Sequence, residues 1–581
     1  MPSIRALALV LAVAVSSGQA ERPPSSPEVV TGEAGRRVDD YLTRLVPYGF
    51  SGSVLVARDG AILLEKGYGL ANRASAQPYR ADTIASIGSI TKQFTGAAIV
   101  KLEMDGKLKA SDPIAKYLPN VPADKAGITI HHLLTHTAGF PGEMGGGDAE
   151  AIGRDALVAR VLSTPIQAAP GARFEYSNEG YSLAGAIVEI VSGQGYEAYL
   201  REHLFLPARM RDTGYLLPAW PIGSLALGYD EEGREWGRIY QRGWLPDGPG
   251  WYLRANGGIH STVGDLYRWH LALSAPGIFS SAALEQYQTG HVPTPFGDER
   301  YAYGWGVERT RRGTRVVSHN GGNGIFFADF RRYVDEGVVI IAMTNQPVIR
   351  GTELPRRQLE SLVFHDAPVV MPPTPVNVGE QDRAALAGRY ALDGGATLVV
   401  RSVADGLEIE SSDPATFAEQ PLTGPGGRFA ELEARSVALV QELAKDNVAP
   451  LHAAFDDGRA LEVVQGNQRR IWAEWRAASG EFQGVEATGT TMVQGDPAVI
   501  VRLAFARGAR TLQFIWGPRR LLGWRGVPGP GPARLVAESP RAWVFYRYRM
   551  PDAVRVTFDG EAGVTVTRAD QTLKGTRVGD R

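Results

Sequence analysis

From Phe94 to Leu102 the chain carries a helix-length run whose apolar residues, Phe94, Ala97, Ala98, Ile99, Val100 and Leu102, face nearly all round. A fold that holds such a helix must enclose it inside a domain. A polar pair stands at its mouth: in Ile84-Ala-Ser-Ile-Gly-Ser-Ile-Thr-Lys-Gln-Phe-Thr-Gly96, Ser89 lies three residues before Lys92. Positions i and i+3 share a helix face, which sets the lysine beside the serine. A serine hydroxyl is a poor nucleophile at neutral pH and needs a base within hydrogen-bond reach. Desolvation and the positive helix N-terminus both favour neutral Lys92, the form able to take a proton. A bare S-x-x-K is more often an ordinary solvated pair. Here, however, only one of nine lysines, Lys92, has a serine three residues earlier.

At 581 residues the chain exceeds one ordinary core, and two to four domains are expected. A formal net charge of -2 and the lack of basic tracts exclude nucleic acid and anionic membrane surfaces as expected partners. With no cysteine, thiol catalysis, disulfides and thiolate metal sites are ruled out. Residues 1–20 combine Arg5, an apolar stretch from Ala6 to Val15 and small residues ending Gly18-Gln19-Ala20. This pattern reads as a cleaved secretory signal, since an apolar stretch of about ten residues is too short for a bilayer that needs about 20. A periplasmic or secreted protein with no integral membrane segment is expected.

A Pro-, Ser- and Gly-rich leader covers 21–35, and Val38, Leu42 and Leu45 then recur at helical spacing within Arg36–Val46. Ser53–Ala57 and Ala61–Lys66 read as strands joined by Asp59-Gly60, a strong hairpin signal. A long, mostly helical and irregular region follows to about residue 300. Three further strands are expected at Arg315–Ser318, Ile325–Phe330 and Val338–Met343, with a turn at Asp335-Glu336-Gly337 and a helix at Leu354–Phe364. Strands from both ends would thus join one five-stranded antiparallel sheet around a helical insertion, an α/β (α+β) domain over 36–365. Four prolines mark a linker at 366–377. Beyond it, short alternating segments between Gly, Asp and Pro turns give an all-β signature. An echo of Leu386-Ala-Gly-Arg-Tyr390 in Ser479-Gly-Glu-Phe482 divides this region into two barrel-like domains, 378–476 and 477–581; a single β domain is the alternative.

Serine and lysine need a third polar group to carry the proton to the leaving atom. Tyr176-Ser177-Asn178, the only Y-x-N, precedes an apolar helical segment from Tyr181 to Val191. Taken alone, Asn178 is a helix N-cap and Tyr176 a core aromatic. His319-Asn320-Gly321-Gly322 is the only H-x-G among ten histidines and ends an expected strand. Taken alone it is a glycine-rich turn, but its exposed backbone would let the Gly322 N–H join that of Ser89 around an oxyanion.

Ser89-Ile-Thr-Lys92, Tyr176-Ser-Asn178 and His319-Asn-Gly321, in that order, resemble the three motifs of the serine β-lactamase and penicillin-binding superfamily. The tyrosine in the middle motif is similar to the class C branch, which also holds D-alanyl-D-alanine carboxypeptidases, D-aminopeptidases and esterases. Leu133-Leu-Thr-His-Thr-Ala-Gly139, Asn256-Gly-Gly-Ile-His-Ser-Thr262 and Tyr303-Gly-Trp-Gly306 extend the resemblance over about 36–365. It implies a class C β-lactamase-like transpeptidase fold; the C-terminal all-β region is expected to be a lipocalin-like barrel domain or domains. It further implies Ser89 as the acylated nucleophile, proton transfer shared by Lys92 and Tyr176, Asn178 orienting substrate or Lys92, and His319, Gly321 and Gly322 at the substrate and oxyanion positions. No cofactor is implied.

His319 departs from the Lys-Thr-Gly of most β-lactamases in this branch. A lysine supplies a fixed positive charge for a substrate carboxylate, whereas histidine is mostly neutral at pH 7. The expected activity is therefore an exported serine hydrolase acting on an ester, amide or D-amino-acid-containing peptide. The alternatives are a β-lactamase or D-alanyl-D-alanine carboxypeptidase, and a non-catalytic binder of peptidoglycan fragments or D-amino acids. His132 and His136 form an i, i+4 pair, but without the glutamate of the zinc-protease motif no metal is expected.

Overall fold

The structure, a computed structural model, describes residues 27–578 apart from 143–146, 231–232, 242, 276, 296–297, 347–354, 370, 394, 404–405, 413–425, 456–460, 494–495, 518–519, 528–532, 546–553 and 569–570. The signal segment 1–20 and the start of the leader lie outside the described residues. Asp59 and Gly60 take φ of 50° and 81°, the double left-handed geometry of a tight hairpin. They join Gly52–Arg58 to Ala61–Tyr68.

The five expected strands lie side by side as Ala61–Tyr68, Gly52–Arg58, Val338–Thr344, Phe327–Tyr333 and Arg315–Gly322. The sheet is larger than expected, with nine strands: Val29–Val30 extends one edge, and Gly306–Arg309, Arg300–Tyr301 and Val292–Pro293 extend the other. These additions are too short for alternation to reveal them. The Phe327–Tyr333 strand starts two residues later than expected because the Asn323 side chain accepts from the backbone N–H of Ile325 and Phe326 and turns the chain.

Alternate side chains along each strand serve two layers. Val54, Val56, Ile340 and Tyr333 pack with Val38, Tyr41 and Leu42 of the Gly32–Leu45 helix and with Leu359 and Leu362 of the Arg356–Phe364 helix. Leu55, Ile341, Phe330 and Val317 pack with the Thr91–Met104 helix on the other face. Every residue of that helix from Thr91 to Val100 is buried, as its lack of a polar face requires.

Beyond the linker, one eight-stranded antiparallel barrel closes. Its strands run from Gly388 to Ser411 and from Ala533 to Arg577, and Leu392 meets Gly575 while Leu407 meets Leu535. Residues between these groups form three helices, Ala430–Ala444, Ala449–Phe455 and Leu461–Ser479, and a separate four-stranded sheet, Phe482–Val527. The division into consecutive barrels at 476/477 does not match this pairing, because the single barrel draws strands from both stretches. Alternation identifies a strand but says nothing of a partner more than a hundred residues away. The two echoed segments share only a helix-to-strand junction.

The linker is laid against both sides: the Tyr48 hydroxyl donates to Pro373 O at 3.2 Å and Val376 N donates to Ala537 O at 2.8 Å. Val544 of the barrel joins the apolar cluster of the Gly32–Leu45 helix. Among the described residues, no helix is long and apolar enough to cross a membrane.

Candidate active site

Ser89 sits in the single turn Gly88–Ile90 that enters the buried helix. Gly88 has φ +49°, and a Cβ there would lie 2.5 Å from Gly322 N. From the other side, a Cβ on Gly321 would lie 2.0 Å from Ile87 O and 2.5 Å from Ser89 N. Both glycines therefore let the end of the Arg315–Gly322 strand touch the Ser89 turn backbone to backbone. Gly322 and Ser89 are thereby brought together.

Lys92 lies one helical turn on, fully buried. Its Nζ donates to Asn178 Oδ1 at 2.8 Å and Asn256 O at 3.0 Å, and stands 3.1 Å from Ser89 Oγ. Burial depresses the Lys92 amine to about 7, against the opposing pull of Asp148 and Glu179. The amine also lies 4.8 Å from the centre of the Tyr176 ring.

Tyr176 is half-buried, and burial raises its phenol above the ordinary range while a hydrogen bond with Ser89 opposes the rise. His136 holds it from behind, with ring centres 4.2 Å apart, and accepts from the Ser177 backbone N–H at 3.0 Å. The helix Asn178–Ser192 is capped by Ser177, whose Oγ accepts from Gly180 N, and not by Asn178. Asn178 is thus not the cap that its position alone suggests, and its side chain turns to Lys92.

His319 is a strand residue paired with Phe330, and the turn comes only afterwards, at Asn323–Phe326. Its ring is buried with both nitrogens engaged: Nδ1 faces Asn320 O at 2.5 Å and Nε2 faces the Tyr301 hydroxyl at 2.9 Å. A carbonyl can only accept, so Nδ1 carries the proton and Nε2 accepts from Tyr301. Burial, then the nearby Lys92, lowers His319 to about 4.

The beta-lactamase family profile matches residues 41–362, more than half of the chain. The chain belongs to the beta-lactamase family. In keeping with that membership, it is 32% identical over 273 residues to a putative penicillin-binding protein, PbpX, of Bacillus subtilis, covering 47% of this chain and 66% of that protein, just under two thirds. It is 27% identical over 449 residues to penicillin-binding protein 4* of the same organism, covering 72% and 95%. The octameric penicillin-binding protein homologue of Pyrococcus abyssi superposes with a TM-score of 0.52 at 20% identity, over 94% of this chain and all of that one, a likeness of fold.

This beta-lactamase family domain also uses residues to which the sequence assigned no role. Asn256 lies in the noted stretch Asn256–Thr262, but its contribution is a backbone carbonyl, which no residue type signals. His136 lies in the noted stretch Leu133–Gly139 and Tyr301 in no motif; both are aromatic supports. The three neighbouring histidines are separated: His131 bonds the Tyr303 hydroxyl at 2.8 Å, His132 takes the Thr129 N–H as part of a helix cap, and His136, with φ +58°, lies beyond the end of the Ile130–Leu134 helix. His132 and His136 therefore do not share a helix face.

Proposed function

We propose that this beta-lactamase family hydrolase is an exported serine hydrolase that forms an acyl-enzyme on Ser89, with Lys92 as the base. The observation that carries this reading is the buried amine of Lys92, depressed to about 7 and 3.1 Å from Ser89 Oγ. A neutral amine has two hydrogens and one lone pair. With the hydrogens given to Asn178 Oδ1 and Asn256 O, the lone pair faces the serine.

Ser89 Oγ then passes its proton to Lys92 Nζ as it bonds to the substrate carbonyl carbon. The carbonyl electron pair moves onto oxygen, between the N–H groups of Ser89 and Gly322. The proton returns through the Tyr176 hydroxyl to the leaving oxygen or nitrogen as that bond breaks. Water repeats the sequence on the acyl-enzyme and restores Ser89. The raised phenol favours Tyr176 as a protonated relay and disfavours it as the initial base.

His319 supports a neutral ester or amide as the scissile substrate. Its neutral ring, held by Asn320 and Tyr301, offers no fixed cation to a substrate carboxylate. Hydrolysis of p-nitrophenyl esters, nitrocefin, D-amino acid amides and D-Ala-D-Ala peptides by wild type and Ser89→Ala tests the reading. Ester or amide turnover that disappears in Ser89→Ala is expected. Preferential turnover of nitrocefin or D-Ala-D-Ala peptides would move the assignment to a β-lactamase or carboxypeptidase.

A further inference from the structure

Two to four residue pairs along the sheet from His319, three arginines stand on the face that packs toward the Ser89 helix. Arg309 is paired directly with Arg315, and Arg332 is paired with Val317, two residues along the same strand face. Like charges placed opposite or diagonal in a sheet repel. No carboxylate relieves them: among the described residues, none of the three makes an ion pair. Asp335, the acid nearest in the hairpin, accepts from the backbone N–H of Arg315.

Arg332 is the most demanding of the three, being 4% exposed. Its Nε donates to His270 Nδ1 at 3.1 Å and one terminal nitrogen donates to Ser274 Oγ at 3.2 Å. The His270 ring is held neutral, its value lowered to about 3 by burial and then by Arg332. Arg315 donates to Gln288 O at 2.8 Å. Every one of these acceptors is uncharged. Arg332 Nη1 and Gln288 Nε2 remain buried with no hydrogen-bond partner. A buried guanidinium without a counter-charge carries a desolvation cost that neutral partners do not offset, and unused buried donors add to that cost.

We propose that Arg332 and Arg315, with the Gln288 amide, form a binding site for a small inorganic oxyanion such as phosphate or sulfate. The chemistry on offer is the donors not already spent: Arg332 Nη1, the remaining N–H groups of the Arg315 guanidinium, whose planar geometry matches an oxyanion, and the Gln288 amide N–H. Of the two groups that Arg332 contacts, Ser274 is exposed and His270 half-buried, so this flank is the one nearer solvent. Bound there, the anion supplies the negative charge that the sheet face lacks. The site is separate from the Ser89 chemistry and does not depend on the reaction proposed for it.

Calorimetric titration of the full chain with sodium phosphate, and separately with sodium sulfate, in gluconate buffer of fixed ionic strength tests the site. One saturable site is expected in wild type and unchanged in Ser89→Ala. Arg315→Gln and Arg332→Gln should each weaken binding by at least about tenfold, the loss of a charge-assisted bidentate contact, with hydrolytic turnover retained. Should Arg332→Gln fail to fold, Arg315→Gln with Arg332→Lys serves the same purpose, because lysine keeps the charge and removes the fork. Absence of saturable binding of either anion, equal affinity in the arginine variants, or loss of binding in Ser89→Ala would overturn the proposal.

Discussion

Lys92 Nζ stands 3.1 Å from Ser89 Oγ while its two other contacts, Asn178 Oδ1 and Asn256 O, are oxygens that only accept. In the neutral amine that arrangement aims the lone pair at Ser89, and burial favours the neutral form. The neutral fraction grows as pH rises through the lysine value, so kcat/KM for a neutral ester should climb with an inflection near 7. Lys92→Met should lower kcat/KM by about 10²–10⁴-fold, the usual contribution of a positioned base, and erase the inflection. A pH–rate profile of both proteins checks this. An unchanged inflection in Lys92→Met would assign it to another group.

Tyr176→Phe keeps the ring that His136 stacks on and removes only the hydroxyl. Turnover should fall by about 10²–10⁴-fold with little change in melting temperature. The loss should be greater for substrates with poor leaving groups, such as amides, than for p-nitrophenyl esters, since the relay serves the leaving atom. Steady-state rates on an ester and amide pair with the same acyl group measure the difference.

Gly321→Ala places a methyl 2.0 Å from Ile87 O and 2.5 Å from Ser89 N. Backbone cannot yield as a flexible side chain can, so the strand end must part from the nucleophile turn. Stability should drop by about 1–3 kcal/mol, the range for overpacking, and turnover should fall further than the stability change explains. Denaturant unfolding and ester hydrolysis on the same preparation separate the two effects.

Acid should destabilise the hydrolase domain through its buried histidines. His319 and His260 are each lowered by burial to about 4, from an ordinary 6.5. Between those values the unfolded chain binds protons that the folded chain refuses, so stability is full above 6.5 and declines as pH falls toward 4. Each contributes on the order of 1–3 kcal/mol across that window. Melting temperature measured from pH 7 down to pH 4 should show the decline, and His319→Gln should flatten part of it.

Much of this arrangement is legible in the sequence. Local chemistry supports the hairpin at Asp59-Gly60, the five central strands and the Ser89 helix, because each depends on alternation, turn residues or an all-apolar surface. Ser89, Lys92, Tyr176, His319 and Gly322 converge because three separate motifs share one sheet end. What stayed hidden was mostly nonlocal. That Ser177 and not Asn178 caps its helix is settled by local geometry, and the Asn256 carbonyl has no signature in residue type. The C-terminal strands were visible one by one, but the closure of Leu407 on Leu535 across the inserted helices and sheet depends on packing that alternation does not encode. The arginines at 309, 315 and 332 are unremarkable in sequence and become a problem of charge only once register places them on one face.

The central claim is an acyl bond to Ser89, and intact-mass measurement during turnover of a slow p-nitrophenyl ester, followed by peptide mapping, tests it most directly. The predicted result is a mass increase equal to the acyl group on the peptide that contains Ser89, transient in wild type and absent in Ser89→Ala, which should also show no turnover. Turnover by Ser89→Ala at the wild-type rate, or an adduct on a different residue, would contradict the account.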